Sequence, residues 1–263
     1  MTINQFFVDS TRLSEAALQK KHQIEQDPSC RTDHMAYMEG MEQIHSDVMT
    51  KVLDQMQHYD YNLYTAEDVV RALEAERCTI EDFKALLSPA ATPFLEQMAA
   101  KAKIETSKHF GNTVYLFTPL YIANYCENYC VYCGFNCYND INRKKLTMDE
   151  IRHEMQIIAD SGIEEILMLT GESRSKSDVN YIGEACRLAS EYFKNVGLEI
   201  YPVNSDEYRY LHECGADYIT VFQETYDADK YETLHLMGHK RIFPYRFEAQ
   251  ERALMGGMRG VGF

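Results

Sequence analysis

The chain has 263 residues, 45% hydrophobic and 25% charged, which is enough to bury a core in one or two domains. A net charge of −15 repels a phosphate backbone and argues against nucleic acid as a partner. No run approaches the ~18 apolar residues of a membrane-spanning helix, and Met1-Thr2-Ile3-Asn4-Gln5 does not open a secretory signal, which needs a basic segment followed by an apolar one.

Residues 1–110 read as an N-terminal helical region, mostly polar, with weak and charged signals before Asn62. Thr65 precedes Val69, Val70 and Leu73, and Thr79 precedes Phe83, Leu86 and Leu87; each Thr suits an N-cap. Ser88-Pro89 closes the second of these helices, and Phe94, Leu95 and Met98 open a third. From 111 to 263 the pattern becomes βα. Val114-Tyr115-Leu116-Phe117 reads as a strand, followed by the cysteines. Thr147 and Glu150 form a capping box for a helix that Gly162 ends. Glu165–Leu169 is an unbroken apolar strand after its first residue, as expected of one buried on both faces. A helix over 178–193, a strand over 198–201, a helix over 206–214, a strand over 218–222 and a helix over 244–255 follow. Gly260-Val261-Gly262-Phe263 looks like a strand just starting.

Such alternation predicts an α/β fold with a parallel sheet, either open or barrel-like. A full eight-unit barrel needs about 200 residues or more. The segment after the N-terminal region supplies four to five βα units, so the sequence reads as the first half of a longer barrel.

Four of the eight cysteines, Cys126, Cys130, Cys133 and Cys137, lie within twelve residues. In a chain without a signal such clustering indicates a metal site and the reducing cytoplasm, not a disulfide framework. Three thiolates on a four-iron cube leave one iron open, and Gly134 lets backbone approach. Two other readings compete: structural zinc on four cysteines, although zinc usually joins two separated knuckles, and a closed cluster with Cys137 as fourth ligand. Cys30, Cys78, Cys186 and Cys214 read as ordinary buried or semi-buried residues. Asn142-Arg143-Lys144-Lys145 reads as a solvated basic face, and His235 and His239 as surface histidines.

Cys-x3-Cys-x2-Cys with the aromatic Tyr132 before the third cysteine resembles the signature of the radical S-adenosylmethionine superfamily. Five strings are similar to its tyrosine-lyase branch, the 2-iminoacetate synthase type: Thr118–Tyr121 through Phe135, Leu86–Ala90, Phe110–Asn112, Leu169–Glu172 and Gln223–Tyr226. The resemblance covers about residues 65–263 and does not extend to the first sixty residues.

The resemblance implies a (β/α) barrel of the radical-SAM type and a [4Fe–4S] cluster on Cys126, Cys130 and Cys133. It implies S-adenosylmethionine reduced to a 5′-deoxyadenosyl radical, and cleavage of tyrosine between Cα and Cβ to 2-iminoacetate and p-cresol for thiazole formation. S-adenosylmethionine contacts would come from Tyr132, Gly171, Glu172 and Glu224, and substrate contacts from Tyr121, Gln223 and Tyr226. A carboxylate at a strand end suits an ammonium, although Thr170 stands where the superfamily pattern has Gly. A flavodoxin- or ferredoxin-like one-electron reductant and thiazole synthase are the implied protein partners. A hydrogenase-maturation tyrosine lyase and an inactive cluster-binding fragment remain as alternatives.

Overall fold

The computed structural model describes residues Glu15–Gly262. Met1–Ser14 and Phe263 lie outside the described residues, and with them the reading of the extreme N-terminus and the last residue of the final strand. The helices are α1 (Glu15–Gln26), α2 (Val48–His58), α3 (Ala66–Glu74), α4 (Ile80–Leu87) and α5 (Leu95–Phe110). Then come β1 (Thr118–Ala123), β2 (Tyr129–Cys130), α6 (Met148–Asp160), β3 (Glu165–Thr170), α7 (Val179–Ala189), β4 (Asn195–Glu199) and α8 (Ser205–Glu213). The chain continues through β5 (Tyr218–Thr220), α9 (Ala228–Leu234), β6 (His235–Met237), α10 (Phe243–Phe247), α11 (Ala249–Met255) and β7 (Gly260–Gly262).

Two compact units result. One, Thr50–Tyr115, contains α3, α4 and α5. Its Thr caps form as expected: Thr65 and Thr79 accept from the backbone N–H of Asp68 and Asp82, whose carboxylates accept in return. Lys101 closes the end of α3, donating to the carbonyls of Leu73 and Ala75 at 2.6 Å each. The apolar face expected on α4 is not buried. Phe83 and Leu87 are exposed, and it is Ala85 that packs inside.

The other unit joins the described residues up to Met49 with Leu116 onward. Its sheet runs β1-β3-β4-β5-β7, all parallel, with α6, α7, α8 and the α10–α11 pair as crossovers. Ile122, Ile166, Met168, Val196, Leu198 and Ile219 from the strands pack with Ile151, Met155, Ile182 and Leu211 from the helices. This is the α/β half-barrel architecture the alternation predicts. A short antiparallel pair, β2 with β6, lies outside that sheet.

Two local readings change. Val114–Phe117 is exposed and forms no strand; β1 begins at Thr118. Among the described strands β1 pairs with β3 alone, apart from an isolated antiparallel bridge between Ala123 and Lys145, and such an edge position tolerates Pro119. The segment before Met49 is also not simply part of the helical region. His34 O accepts from Phe243 N at 2.9 Å, Tyr37 donates to Glu248 at 2.6 Å, and Glu42 accepts from the Ser205 hydroxyl at 2.8 Å. These anchors are polar, so hydrophobic periodicity does not reveal them.

Candidate active site

The cysteine loop leaves the C-terminal end of β1, where barrel active sites gather. Arg143 ties it down: Nη1 donates to the carbonyls of Asn124 at 2.7 Å and Phe135 at 2.9 Å, and Nη2 to that of Asn136 at 2.7 Å. Asn136 donates to Cys130 O at 3.0 Å, and Asn139 to Gly134 O at 3.0 Å. The basic run read as a solvated face thus contains the residue that shapes the loop.

The loop forms one wall of a cavity of ≈ 780 Å³ including its open mouth. Cys126, Cys130 and Cys133 all line it. Cys137 does not; it packs against the small apolar cluster of Ile24, Tyr129 and Leu236. Burial raises the thiol pKa of Cys126 and Cys130, so without a metal they stay protonated. Among the described residues no three His, Cys, Asp or Glu side chains converge on one point to hold a metal ion. The three thiols instead border a common space.

The ends of β3, β4 and β5 supply charge. Glu172 follows β3 and has both carboxylate oxygens engaged: Oε1 with Arg246 Nη1 at 2.7 Å and Oε2 with Asn128 Nδ2 at 2.8 Å. Burial pushes its pKa up, but the charges of Arg246 and Lys240 outweigh that and hold it below the ordinary value. Arg246 also donates to Phe222 O at 2.6 Å. Glu224 pairs with Lys240 at 2.7 Å and has a φ of 69°, the only positive φ outside glycine among the described residues. Such a backbone is held only where its surroundings over-determine it. Glu199 ends β4 in the same cavity. Gly171 is required by its neighbour, since a Cβ there would stand 2.2 Å from Tyr125 O. The buried Thr170 hydroxyl, at the cavity wall, has no protein partner.

The structure therefore brings Tyr121, Tyr132, Gly171, Glu172 and Glu224 together with the three cysteines. It does not bring Gln223 or Tyr226 to the cavity. Gln223 is buried with Nε2 on Phe243 O at 3.5 Å, and Tyr226 meets the Phe247 ring edge-on. Phe222 and Glu224 line the cavity, and the buried Gln223 between them does not. His235 is not a surface histidine. It is fully buried on β6, where burial depresses its pKa to about 4. Neutral His235 can donate from Nδ1 to Tyr231 O at 2.9 Å, and Nε2 then accepts from the Tyr132 hydroxyl at 2.7 Å. Cys30 and Cys78 are exposed, whereas Cys186 and Cys214 are buried. Arg246, Lys240 and Glu199 escape the sequence reading because no local pattern marks them.

The profile of the Radical SAM superfamily matches residues 120–262. The chain is 40% identical to 2-iminoacetate synthase of Escherichia coli (strain K12) over 198 residues, covering 75% of this chain and 52% of that protein. It is 31% identical to 3-methylornithine synthase of Methanosarcina barkeri (strain Fusaro / DSM 804) over 200 residues, covering 73% and 57%. HydG, a maturase of the [FeFe]-hydrogenase, superposes with a TM-score of 0.73 at 28% identity, covering 83% of this chain and 49% of that one. Methylornithine synthase (PylB) superposes with a TM-score of 0.61, also at 28% identity, covering 73% and 57%. The chain thus spans about half the length of the relatives it matches. Enzymes of this kind use a [4Fe–4S] cluster and S-adenosylmethionine. With a superfamily match over more than half its residues and the half-barrel to go with it, the chain belongs to the radical SAM superfamily.

Proposed function

We propose that this chain carries the cluster-binding half of a tyrosine lyase that cleaves Cα–Cβ to give 2-iminoacetate and p-cresol. The observation that carries this reading is the shared cavity of Cys126, Cys130 and Cys133, with Cys137 turned into an apolar cluster. The residues fit the cofactors: three thiols around one space, a glycine wall, and a buried hydroxyl awaiting a partner. When bound, the cluster and S-adenosylmethionine supply a 5′-deoxyadenosyl radical that abstracts hydrogen from substrate. The protein's share is to bind, orient and exclude water. Arg143 holds the loop, Arg246 fixes Glu172 at the wall, Lys240 fixes Glu224, and Tyr132 is locked through His235.

Identity to 2-iminoacetate synthase supports the choice of tyrosine within the superfamily. The HydG superposition supports the hydrogenase-maturation branch as a second reading. A cytoplasmic setting and an external one-electron reductant complete the proposal; the clustered thiols and the electron requirement support them. Thiazole synthase belongs to it as the partner that takes up 2-iminoacetate. Among the described residues no helix is long and apolar enough to cross a membrane. The test is anaerobic reconstitution followed by incubation with S-adenosylmethionine, dithionite and tyrosine. Formation of 5′-deoxyadenosine and p-cresol is expected. Formation of 5′-deoxyadenosine with tyrosine left intact would reject the lyase assignment.

A further inference from the structure

Arg246 fixes Glu172 from α10, a helix of five residues with no side-chain cap. Isolated helices shorter than about 12–15 residues do not hold themselves in water, so α10 depends on what it packs against. Phe243 sets its ring edge-on to Tyr231 at 5.2 Å, but apolar burial is non-directional and does not fix the rotation of a helix. Hydrogen bonds do, and at both ends of α10 they come from the segment between residues 32 and 44. At the start, Phe243 N donates to His34 O at 2.9 Å. At the end, Oε2 of Glu248 accepts from the Tyr37 hydroxyl at 2.6 Å and from Ile44 N at 3.3 Å. Between them, Tyr245 donates to Asn204 Oδ1 at 2.9 Å, the oxygen that also accepts from Glu42 N at 3.0 Å. Thr32 O accepts from Arg241 Nε at 2.6 Å, one residue from Lys240, so the second cavity cation is braced by the same segment.

Within this clasp the Tyr37 hydroxyl makes the short contact to a carboxylate. Glu248 is buried, and Arg252 stands 3.8 Å from the same oxygen, beyond hydrogen-bond reach. Without Tyr37 that oxygen keeps only the longer backbone donor of Ile44 and the distant arginine. Burial beside Glu248 raises the Tyr37 pKa, so the phenol stays a donor. We propose that Tyr37 is a positioning residue for the cofactor wall: by tying Glu248 to the N-terminal segment it sets the rotation of α10, and so the fit of Arg246 to Glu172. The superfamily profile starts at residue 120, so Tyr37 lies in a part of the chain that the profile does not describe. The inference rests on the reading that S-adenosylmethionine lies against Glu172, and not on the choice of tyrosine as substrate.

The test uses the full chain, anaerobically reconstituted, with two readouts. One is calorimetric affinity for S-adenosylmethionine; the other is hydrogen exchange by mass spectrometry without S-adenosylmethionine. Tyr37→Phe removes the hydroxyl and keeps the ring. It should retain iron, bind S-adenosylmethionine about three- to tenfold more weakly, and exchange faster over residues 243–248 while β3 and β4 are unchanged. A merely structural loss would lower affinity by the same factor in any background. Positioning through Arg246 requires that Tyr37→Phe add nothing once Arg246→Lys has removed the guanidinium fork. Glu172→Gln, which removes the carboxylate that Arg246 serves, is the background if Arg246→Lys does not fold. Equal losses in the two backgrounds would overturn the proposal, as would unchanged affinity or loss of iron in Tyr37→Phe alone. The premises fail separately. Arg246→Lys binding S-adenosylmethionine as the wild type does would remove the cofactor from Glu172, whereas unchanged exchange over 243–248 would remove the clasp; either result overturns the proposal.

Discussion

Arg246→Ala removes the partner of a carboxylate that cannot easily reach water. The Glu172 side chain is 13% exposed and that of Arg246 5%. The variant strips Glu172 Oε1 of its 2.7 Å donor and Phe222 O of its 2.6 Å donor, leaving only Asn128 on Oε2. Deleting one member of a buried pair costs roughly 3–5 kcal/mol, because a buried charge is left uncompensated. The orphaned carbonyl adds to this but not additively, so about 4 kcal/mol is the expected loss. At about 2–4 °C per kcal/mol for a chain of this size, the midpoint should fall by roughly 8–16 °C. The pair is the cause only if neutralising the survivor helps. Glu172→Gln in the Arg246→Ala background should recover about 1–3 kcal/mol, since a neutral amide is cheaper to bury than a carboxylate. Anaerobic thermal melts followed by circular dichroism, with urea titration as a second measure, provide the four corners of the cycle. A midpoint drop under about 2 °C for Arg246→Ala, or no recovery in the double variant, would show that Glu172 is effectively solvated and refute the reasoning.

Replacing Cys126, Cys130 or Cys133 with Ala should abolish iron and sulfide retention after anaerobic reconstitution, whereas Cys137→Ala should retain it; iron analysis of the four variants decides the ligand set. Arg143→Ala removes three charge-assisted hydrogen bonds to loop carbonyls and should slow cluster reconstitution severalfold in the absorbance time course. Gly171→Ala forces a Cβ to 2.2 Å from Tyr125 O, so the loop must shift; calorimetry should show weaker S-adenosylmethionine binding by at least about tenfold, and an unchanged affinity would mean that the wall is pliable.

Sequence was informative where one short segment settles its own conformation. The boxes Thr65–Asp68, Thr79–Asp82 and Thr147–Glu150 form as read because cap and acceptor are three residues apart. The β3 strand was legible because burial on both faces leaves an unbroken apolar run. Val114–Phe117 has strand-like composition, yet pairing with β3 begins only at Thr118. A pattern of apolar residues reports what could be buried; it does not say which partner will do the burying.

The same distinction separates the legible half of the site from the hidden half. Cys126, Cys130 and Cys133 are close in sequence because they sit on one loop, so spacing betrays them. Glu172 and Arg246 are 74 residues apart, and Tyr132 and His235 are 103 apart. Each of these pairs exists because the crossovers return the chain to the same end of the sheet, and only the parallel topology joins them. The supporting residues follow from this logic: Arg246 on α10, Lys240 just before it and His235 on β6 lie on the stretch between β5 and β7. One crossover therefore supplies both cavity cations and the histidine that fixes Tyr132, while the end of β4 and the segments that follow β3 and β5 supply the carboxylates. A site so divided leaves charge balance to the packing of that crossover.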